Sequence, residues 1–229
     1  MKKLYLIFLI AFIGTPHAYA ANECIRGTNW KISGNLYRAW HQYYDIDAWN
    51  ADGSKLLFAG YSAEGTVTPR LYLANGTPPF TNVVALPINN IKNAYWNPLD
   101  KNAFYYSRYN ESGNFQVYQY NIVTQNSDLI YQDPSTEKYR ITPIHPSGKH
   151  MLLAGILGTS TPAKIITLDE KKLYATVDMP FNAHRVRLTK KDNLSLFANS
   201  HTEDKQSRQT MIMRPNNSKN LVIQGFMTH

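Results

Sequence analysis

Apolar positions along this chain come in short bursts separated by polar turns, and not at helical spacing. Apolar runs at 55–60, 102–107, 150–155 and 194–199 each follow directly on a polar turn. A looser polar loop then leads to a second set at 70–74, 115–121, 164–168 and 210–213, and a third set follows at 82–86, 128–132, 172–177 and 220–224. Alternation and β-branched or aromatic enrichment in runs of this length predict strands. After residue 21 no longer stretch carries the 3.6-residue period of an amphipathic helix, so an all-β fold is expected.

The bursts repeat. Ala48-Trp49-Asn50-Ala51-Asp52-Gly53-Ser54-Lys55-Leu56-Leu57-Phe58 returns as Tyr95-Trp96-Asn97-Pro98-Leu99-Asp100-Lys101-Asn102-Ala103-Phe104-Tyr105. It returns again as Pro143-Ile144-His145-Pro146-Ser147-Gly148-Lys149-His150-Met151-Leu152-Leu153, and in worn form as residues 187–197. The anchors Trp49, Trp96, Ile144 and Leu188 stand 47, 48 and 44 residues apart. Each copy has one grammar: an apolar anchor ends a first strand, a tight polar turn follows, and three more strands complete the unit. A period of about 40–50 residues with four strands per repeat and no crossover helix predicts a β-propeller of four-stranded antiparallel blades. A β-sandwich would not need the repeated turn. The predicted blades are 41–87, 88–134, 135–180 and 181–229, with first strands beginning near His41, Lys92, Arg140 and His184 and preceded by a strand segment at 21–40. Trp49 and Trp96 are expected to be buried between blades.

The first twenty residues break this pattern. Lys2 and Lys3 precede a ten-residue apolar run at 4–13, Gly14 and Pro16 interrupt it, and Ala18-Tyr19-Ala20 offers small residues for cleavage. This is the form of a bacterial secretory signal peptide cut after Ala20. The run is too short to span a hydrocarbon core of about 30 Å. A periplasmic or secreted protein is therefore expected, with no stable membrane insertion. Cys24 is the one cysteine, so no disulfide can form within the chain. It lacks the preceding sequence of a lipid-attachment site.

Composition narrows the function classes. The chain holds 24 Lys+Arg against 16 Asp+Glu, a net charge of +8, and only 17% of its residues are charged. Removing Lys2 and Lys3 leaves 22 basic side chains against the same 16 acidic ones. The excess is dispersed, without the clustered stripe of a nucleic-acid binder. An apolar content of 43%, with 16 tyrosines, is ample for a core and excludes a disordered chain.

The turn motif, best kept in Trp49-Asn50-Ala51-Asp52-Gly53-Ser54-Lys55-Leu56-Leu57-Phe58, resembles the Asp-Gly repeat of TolB-like propellers, oligogalacturonate lyases and prolyl-oligopeptidase-type peptidases. Pro146-Ser147-Gly148 keeps Pro and Gly, the second copy moves its turn to Leu99-Asp100, and the fourth keeps only Asp192. The resemblance covers residues 41–229. It implies the fold and, through the lyases, a β-elimination on oligouronates with Mn²⁺ held by His and Gln. Propellers of this kind close with six or seven blades, so the chain reads either as a fragment of a larger propeller or as a small ring closed by the 30–40 segment.

Chemistry is sought at the first strands, which line a propeller's channel. Four residues before each anchor stand Asp45, Lys92, Arg140 and His184, all titratable. Three can be cationic, and Asp45 offers a counter-charge or a base, so the set suits an anionic ligand. Asp47 and Thr142 stand two residues before their anchors and can orient such a ligand; Ala94 and Val186, at the same tier, cannot. His41 and His184 both lie near a first-strand entrance and are the pair to test as metal ligands, although no His-x-His or His-x-x-x-His spacing exists to place two ligands on one element. His145 and His150 flank a hairpin and are expected in solvent. The lyases' clustered His motif is not recognisable, and no Gly-x-Ser-x-Gly elbow is present. Two function classes follow: a binding module for a protein or acidic oligosaccharide, needing no cofactor, and a manganese-dependent oligogalacturonate-type lyase. The first explains the missing catalytic signatures; the second explains the resemblance and the basic tier.

Overall fold

The structure is a computed structural model and describes residues 38–40, 48–62, 68–78, 80–91, 93–156, 161–179, 183–189, 194–200, 209–213 and 221–224. The leader, Cys24, His41, Asp45, Asp47, Lys92, His201 and His229 lie outside the described residues. All described residues belong to one unit, Lys31–His229.

Among the described residues sixteen strands form four antiparallel sheets of four. The first holds β1 (Arg38–Trp40), β2 (Lys55–Tyr61), β3 (Arg70–Asn75) and β4 (Val84–Ala85). The second holds β5 (Asn93–Asn97), β6 (Asp100–Tyr109), β7 (Phe115–Asn121) and β8 (Ser127–Gln132). The third holds β9 (Tyr139–Ile141), β10 (His150–Gly155), β11 (Ala163–Thr167) and β12 (Lys172–Val177). The fourth holds β13 (Ala183–Leu188), β14 (Leu196–Ser200), β15 (Gln209–Met213) and β16 (Leu221–Gln224). Every sheet is built from consecutive strands in order, and no helix occurs among the described residues. This is the predicted β-propeller architecture of repeated blades.

The second strands of the first three blades are buried on both faces, which is why they read as continuous apolar runs: β2 and β10 bury every position but their ends. The two faces serve different neighbours. Leu57 of the first blade packs with Phe104 and Tyr106 of the second. Tyr105, on the opposite face of β6, packs with Met151 and Leu153 of the third. Leu152 and Ala154 of β10 then pack with Leu194 and Leu196 of the fourth. Each strand thus spends its odd and even residues on successive blades, because side chains alternate across a strand. The tyrosines serve this packing: Tyr105, Tyr106 and Tyr120 are buried, and Tyr106 stacks on Tyr118 with centroids 5.2 Å apart.

The repeated turns are closed by their own side chains. Asp52 Oδ1 accepts the Ser54 N–H at 3.0 Å, and Asn97 Oδ1 accepts the Leu99 N–H at 3.0 Å. Gly53 and Gly148 stand at φ of 72° and 70°, the left-handed region that an ordinary side chain avoids. At Gly148 an added Cβ would also fall 2.5 Å from Leu99 Cδ1 of the preceding blade. The second copy lacks this glycine because its turn is tighter, with Asn97 paired directly to Asp100.

Three first strands begin within one residue of the expected starts, at Asn93, Tyr139 and Ala183. Three expectations are corrected. β1 begins at Arg38, in the segment placed ahead of the repeats. Between the pairs Trp40↔Ala59 and Trp49↔Leu56 one strand advances nine residues against three on its partner, an excursion the repeat spacing does not reveal. Trp49 is 44% exposed and not buried, whereas Trp96 is 7% exposed as expected. His145 is 4% exposed and not solvated: its Nδ1 accepts the Ser147 N–H at 3.3 Å and lies 2.8 Å from Ser147 Oγ, so it closes its turn much as Asp52 does.

Candidate functional site

The innermost strands β5 and β9 run side by side, and a cavity opens at each end of them. The cavity at their beginning is about 460 Å³ and is lined by Asn93, Tyr109, Lys138, Tyr139, Arg140 and Ile156. Its described lining carries two cationic side chains and no acidic one.

Its walls are held by contacts between two blades. The Tyr109 hydroxyl donates to the Tyr139 carbonyl at 2.9 Å and accepts the Tyr139 N–H at 3.0 Å, so one side chain occupies both backbone groups of a strand start on the next blade. Lys138 Nζ lies 4.5 Å from the centre of the Tyr109 ring, within cation–π range. Tyr139 is fixed from behind. Its hydroxyl donates to Glu137 Oε2 at 2.5 Å, and Lys164 Nζ sits 4.9 Å from its ring centre. Burial, and then the adjacent Glu137 carboxylate, hold this phenol far above its usual range. It therefore stays neutral.

Lys164 is itself tied to Asp133, at 2.7 Å, in a pair where the Asp133 side chain is fully buried. Ser135 adds a hydroxyl at 2.6 Å and a backbone N–H at 3.0 Å to Asp133 Oδ1. Burial alone would raise this carboxyl, but the Lys164 and Ser135 bonds outweigh it and hold the group below its ordinary value. The charge of Lys164 is thereby absorbed behind the wall, while Lys138 and Arg140 line the cavity.

The predicted tier of Asp45, Lys92, Arg140 and His184 reaches this cavity through Arg140. Asp45 and Lys92 lie outside the described residues; His184 is described by its backbone alone and falls at the register shift between Ala183 and Arg185. The ladders show why counting back from the anchors drifts. The carbonyls of Ser54, Asn102 and Lys149 accept the N–H groups of Gly76, Ile122 and Leu168, each at 2.8 Å, and so mark equivalent positions in three blades. Five residues on stand Ala59, Ser107 and Ala154, and opposite them Trp40, Asn93 and Arg140. Arg140 is level with Asn93, the residue after Lys92. Thr142 is buried, its hydroxyl 3.5 Å from the Pro143 carbonyl. Lys138 and Tyr109 escaped the sequence reading, because they flank the strand start on loops and strand ends whose spacing does not repeat.

The second cavity, at the finish of the same strands, is about 450 Å³. Its described lining comes from the anchor turns of three blades, including Trp49, Trp96, Asn97, Pro98 and Ile144, and contains no charged residue. Both indole N–H groups are committed within the protein: Trp96 Nε1 donates to the Ala48 carbonyl at 2.9 Å, and Trp49 Nε1 to the Gly76 carbonyl at 2.7 Å. Asn50 Nδ2 donates across to the Lys101 carbonyl at 3.0 Å, and Lys101 Nζ lies 3.1 Å from Asp52 Oδ2. Bonds to Ser54 and then Lys101 hold the Asp52 carboxyl well below its ordinary value.

Among the described residues no three of His, Cys, Asp and Glu gather as metal ligands would. The described His pair, His145 and His150, has ring centroids 6.4 Å apart, with His145 Nδ1 already engaged by Ser147. The described His145 and His150 do not fit the manganese that the resemblance implies, while His41 and the side chain of His184 lie outside what the structure describes.

No family model matches the chain, and no curated protein matches it. Solved structures do. TolB from Acinetobacter baumannii aligns at 15% identity over 78% of this chain and 43% of that chain, with a TM-score of 0.55. Oligogalacturonate lyase from Vibrio parahaemolyticus aligns at 14% identity over 80% of this chain and 52% of that chain, with a TM-score of 0.59. The β-propeller domain of the Trilobed protease from Pyrococcus furiosus aligns at 12% identity over 81% of this chain and 59% of that one, with a TM-score of 0.54. The chain spans about half the length of these structures. It shares their β-propeller fold, a fold that carries many unrelated functions.

Proposed function

We propose that this chain is an exported β-propeller module that binds an anionic ligand, a protein or an acidic oligosaccharide, in the cavity where β5 and β9 begin. The observation that carries this reading is the pairing of Lys138 and Arg140 in a cavity whose described lining has no acidic side chain. A carboxylate or sulfate placed there gains charge-assisted bonds from Arg140 and field from both cations. Tyr109 and Tyr139 supply a neutral aromatic wall already fixed by interblade bonds, so little ordering remains to be done on binding. Lys92 and His184 stand in or beside the first strands that follow the same pattern, and they are proposed to extend the basic tier, with Asp45 as its counter-charge. Export rests on the leader, and mass spectrometry of a periplasmic fraction should find Ala21 as the first residue.

The test is calorimetric titration of the full exported chain with oligogalacturonate and with a sulfated oligosaccharide at low and high salt. Affinity should fall as salt rises and should be lost in the Lys138→Ala/Arg140→Ala double variant. Unchanged affinity in that variant would overturn the site. The same incubation with Mn²⁺, read for the ultraviolet absorbance of an unsaturated uronate, separates simple binding from the β-elimination that the sequence resemblance implies.

A further inference from the structure

The cavity at the finish of β5 and β9 has no part in the anion site, and its chemistry is different. We infer that it is a second binding site, one that takes a neutral pyranose ring of an oligosaccharide against Trp49.

Trp49 and Trp96 hold the same position in two repeats and both line the cavity, but Trp49 is 44% exposed and Trp96 only 7%. Its N–H is pinned on the Gly76 carbonyl, so the indole is held in one orientation before any ligand arrives. An indole face carries the negative side of its quadrupole and attracts the slightly positive C–H groups of a sugar face.

A donor stands beside it. Asn97 is 8% exposed, and its Oδ1 is occupied by the Leu99 N–H. Among the described residues no acceptor meets its Nδ2, although the residue lines the cavity. The amide nitrogen is not sealed from solvent, so it can donate to a ligand oxygen that enters the cavity.

The lining sets the ligand class. None of the described lining side chains is charged, so none of them compensates the desolvation of an ionic ligand, and a uronate or a sulfated sugar is disfavoured at this end. A proline-rich peptide in an aromatic groove needs N–H or O–H donors for its carbonyls. Here both indole N–H groups are spent on Ala48 and Gly76, which leaves stacking and one amide. A volume of about 450 Å³ lies in the range of small-molecule sites. A neutral sugar with a flat C–H face and hydroxyl oxygens meets these conditions.

The test titrates the full exported chain with maltohexaose, cellohexaose, xylohexaose and chitohexaose, followed by tryptophan fluorescence and calorimetry, with a decaproline peptide in parallel. At least one neutral hexasaccharide should bind with a Kd of about 1 mM or tighter and change tryptophan emission. Trp49→Ala should weaken that binding tenfold or more. Ala51→Arg, a substitution on an exposed turn at the cavity edge, should block it with the fold intact. Lys138→Ala/Arg140→Ala should leave it unchanged, so failure here and failure of the anion site are separate results. Absence of binding by all four sugars, binding indifferent to both Trp49→Ala and Ala51→Arg, or Trp49-dependent binding of decaproline alone would each overturn the inference.

Discussion

The two ends of β5 and β9 are a few residues apart along each strand and differ in nearly every chemical respect. At the beginning, Lys138 and Arg140 face a cavity walled by two tyrosines, the hydroxyl of Tyr109 engaged across blades and that of Tyr139 on Glu137. At the finish, turns from three blades build a cavity whose described lining carries no charge, and its polar groups are mostly spent on backbone. The difference follows from what each end is for structurally. The finish of a first strand leads into the tight repeated turn, so its residues are chosen to close that turn and to bond the next blade. The beginning is reached by variable loops, which are free to carry charge.

The largest effects should come from breaking the interblade bonds behind each end. Trp96→Ala removes a buried indole and its bond to Ala48, and should cost about 3–5 kcal/mol in denaturant unfolding. Trp49→Ala, at the same repeat position but half exposed, should cost well under half of that. Equal losses would show that the exposed ring is as structural as the buried one. At the other end, Lys164→Ala strands the Asp133 carboxylate without its cation and should also cost about 3–5 kcal/mol. Asp133→Asn in the same background should recover part of the loss, which separates an unpaired charge from simple truncation.

Alkali gives an intermediate effect. Burial, and then nearby acidic groups, push Tyr105 and Tyr131 up to about 12. The unfolded chain ionises these phenols near 10.0 while the folded one holds its protons, so stability should fall as pH rises from about 10 to 12. The loss should concentrate in the blades carrying the basic cavity, which tyrosine absorbance followed together with unfolding would reveal. A midpoint flat across that interval would contradict it.

The smallest effect belongs to His150. Burial, and then the neighbouring His145, lower its pKa below 6.5. The unfolded chain takes up this proton first as pH falls, so the contribution of neutral His150 is full above about 6.5 and declines below it. His150→Gln should flatten that slope between neutral and mildly acidic pH. An unchanged slope would assign the acid sensitivity elsewhere.

Much of the fold was legible because its signals are local. The turn chemistry of Asp52-Gly53 and Pro146-Ser147-Gly148 and the apolar second strands recur with the blade, and twelve of the strands fall close to where the pattern put them. The site was legible only through Arg140. A count from the anchors assumes equal strand lengths, and the nine-against-three excursion before Trp49 and the register shift at His184 break that assumption. Lys138 and Tyr109 left no signal, since a loop lysine and a strand-end tyrosine are common and nothing in their spacing repeats.

By itself the sequence determined the strand, the turn and the repeat, because a period of two and a left-handed glycine act within a few residues. Tertiary structure decided which of the repeated positions became wall, clamp or open surface. Trp96 is buried because the Ala48 carbonyl, 48 residues earlier, receives its N–H, while Trp49 turns to Gly76 in its own blade and keeps its ring exposed. Asn50 reaches Lys101, 51 residues on, and Lys164 reaches Asp133, 31 residues back. Such partners come together only once whole blades have packed, and equivalent residues in a repeat meet different neighbours there.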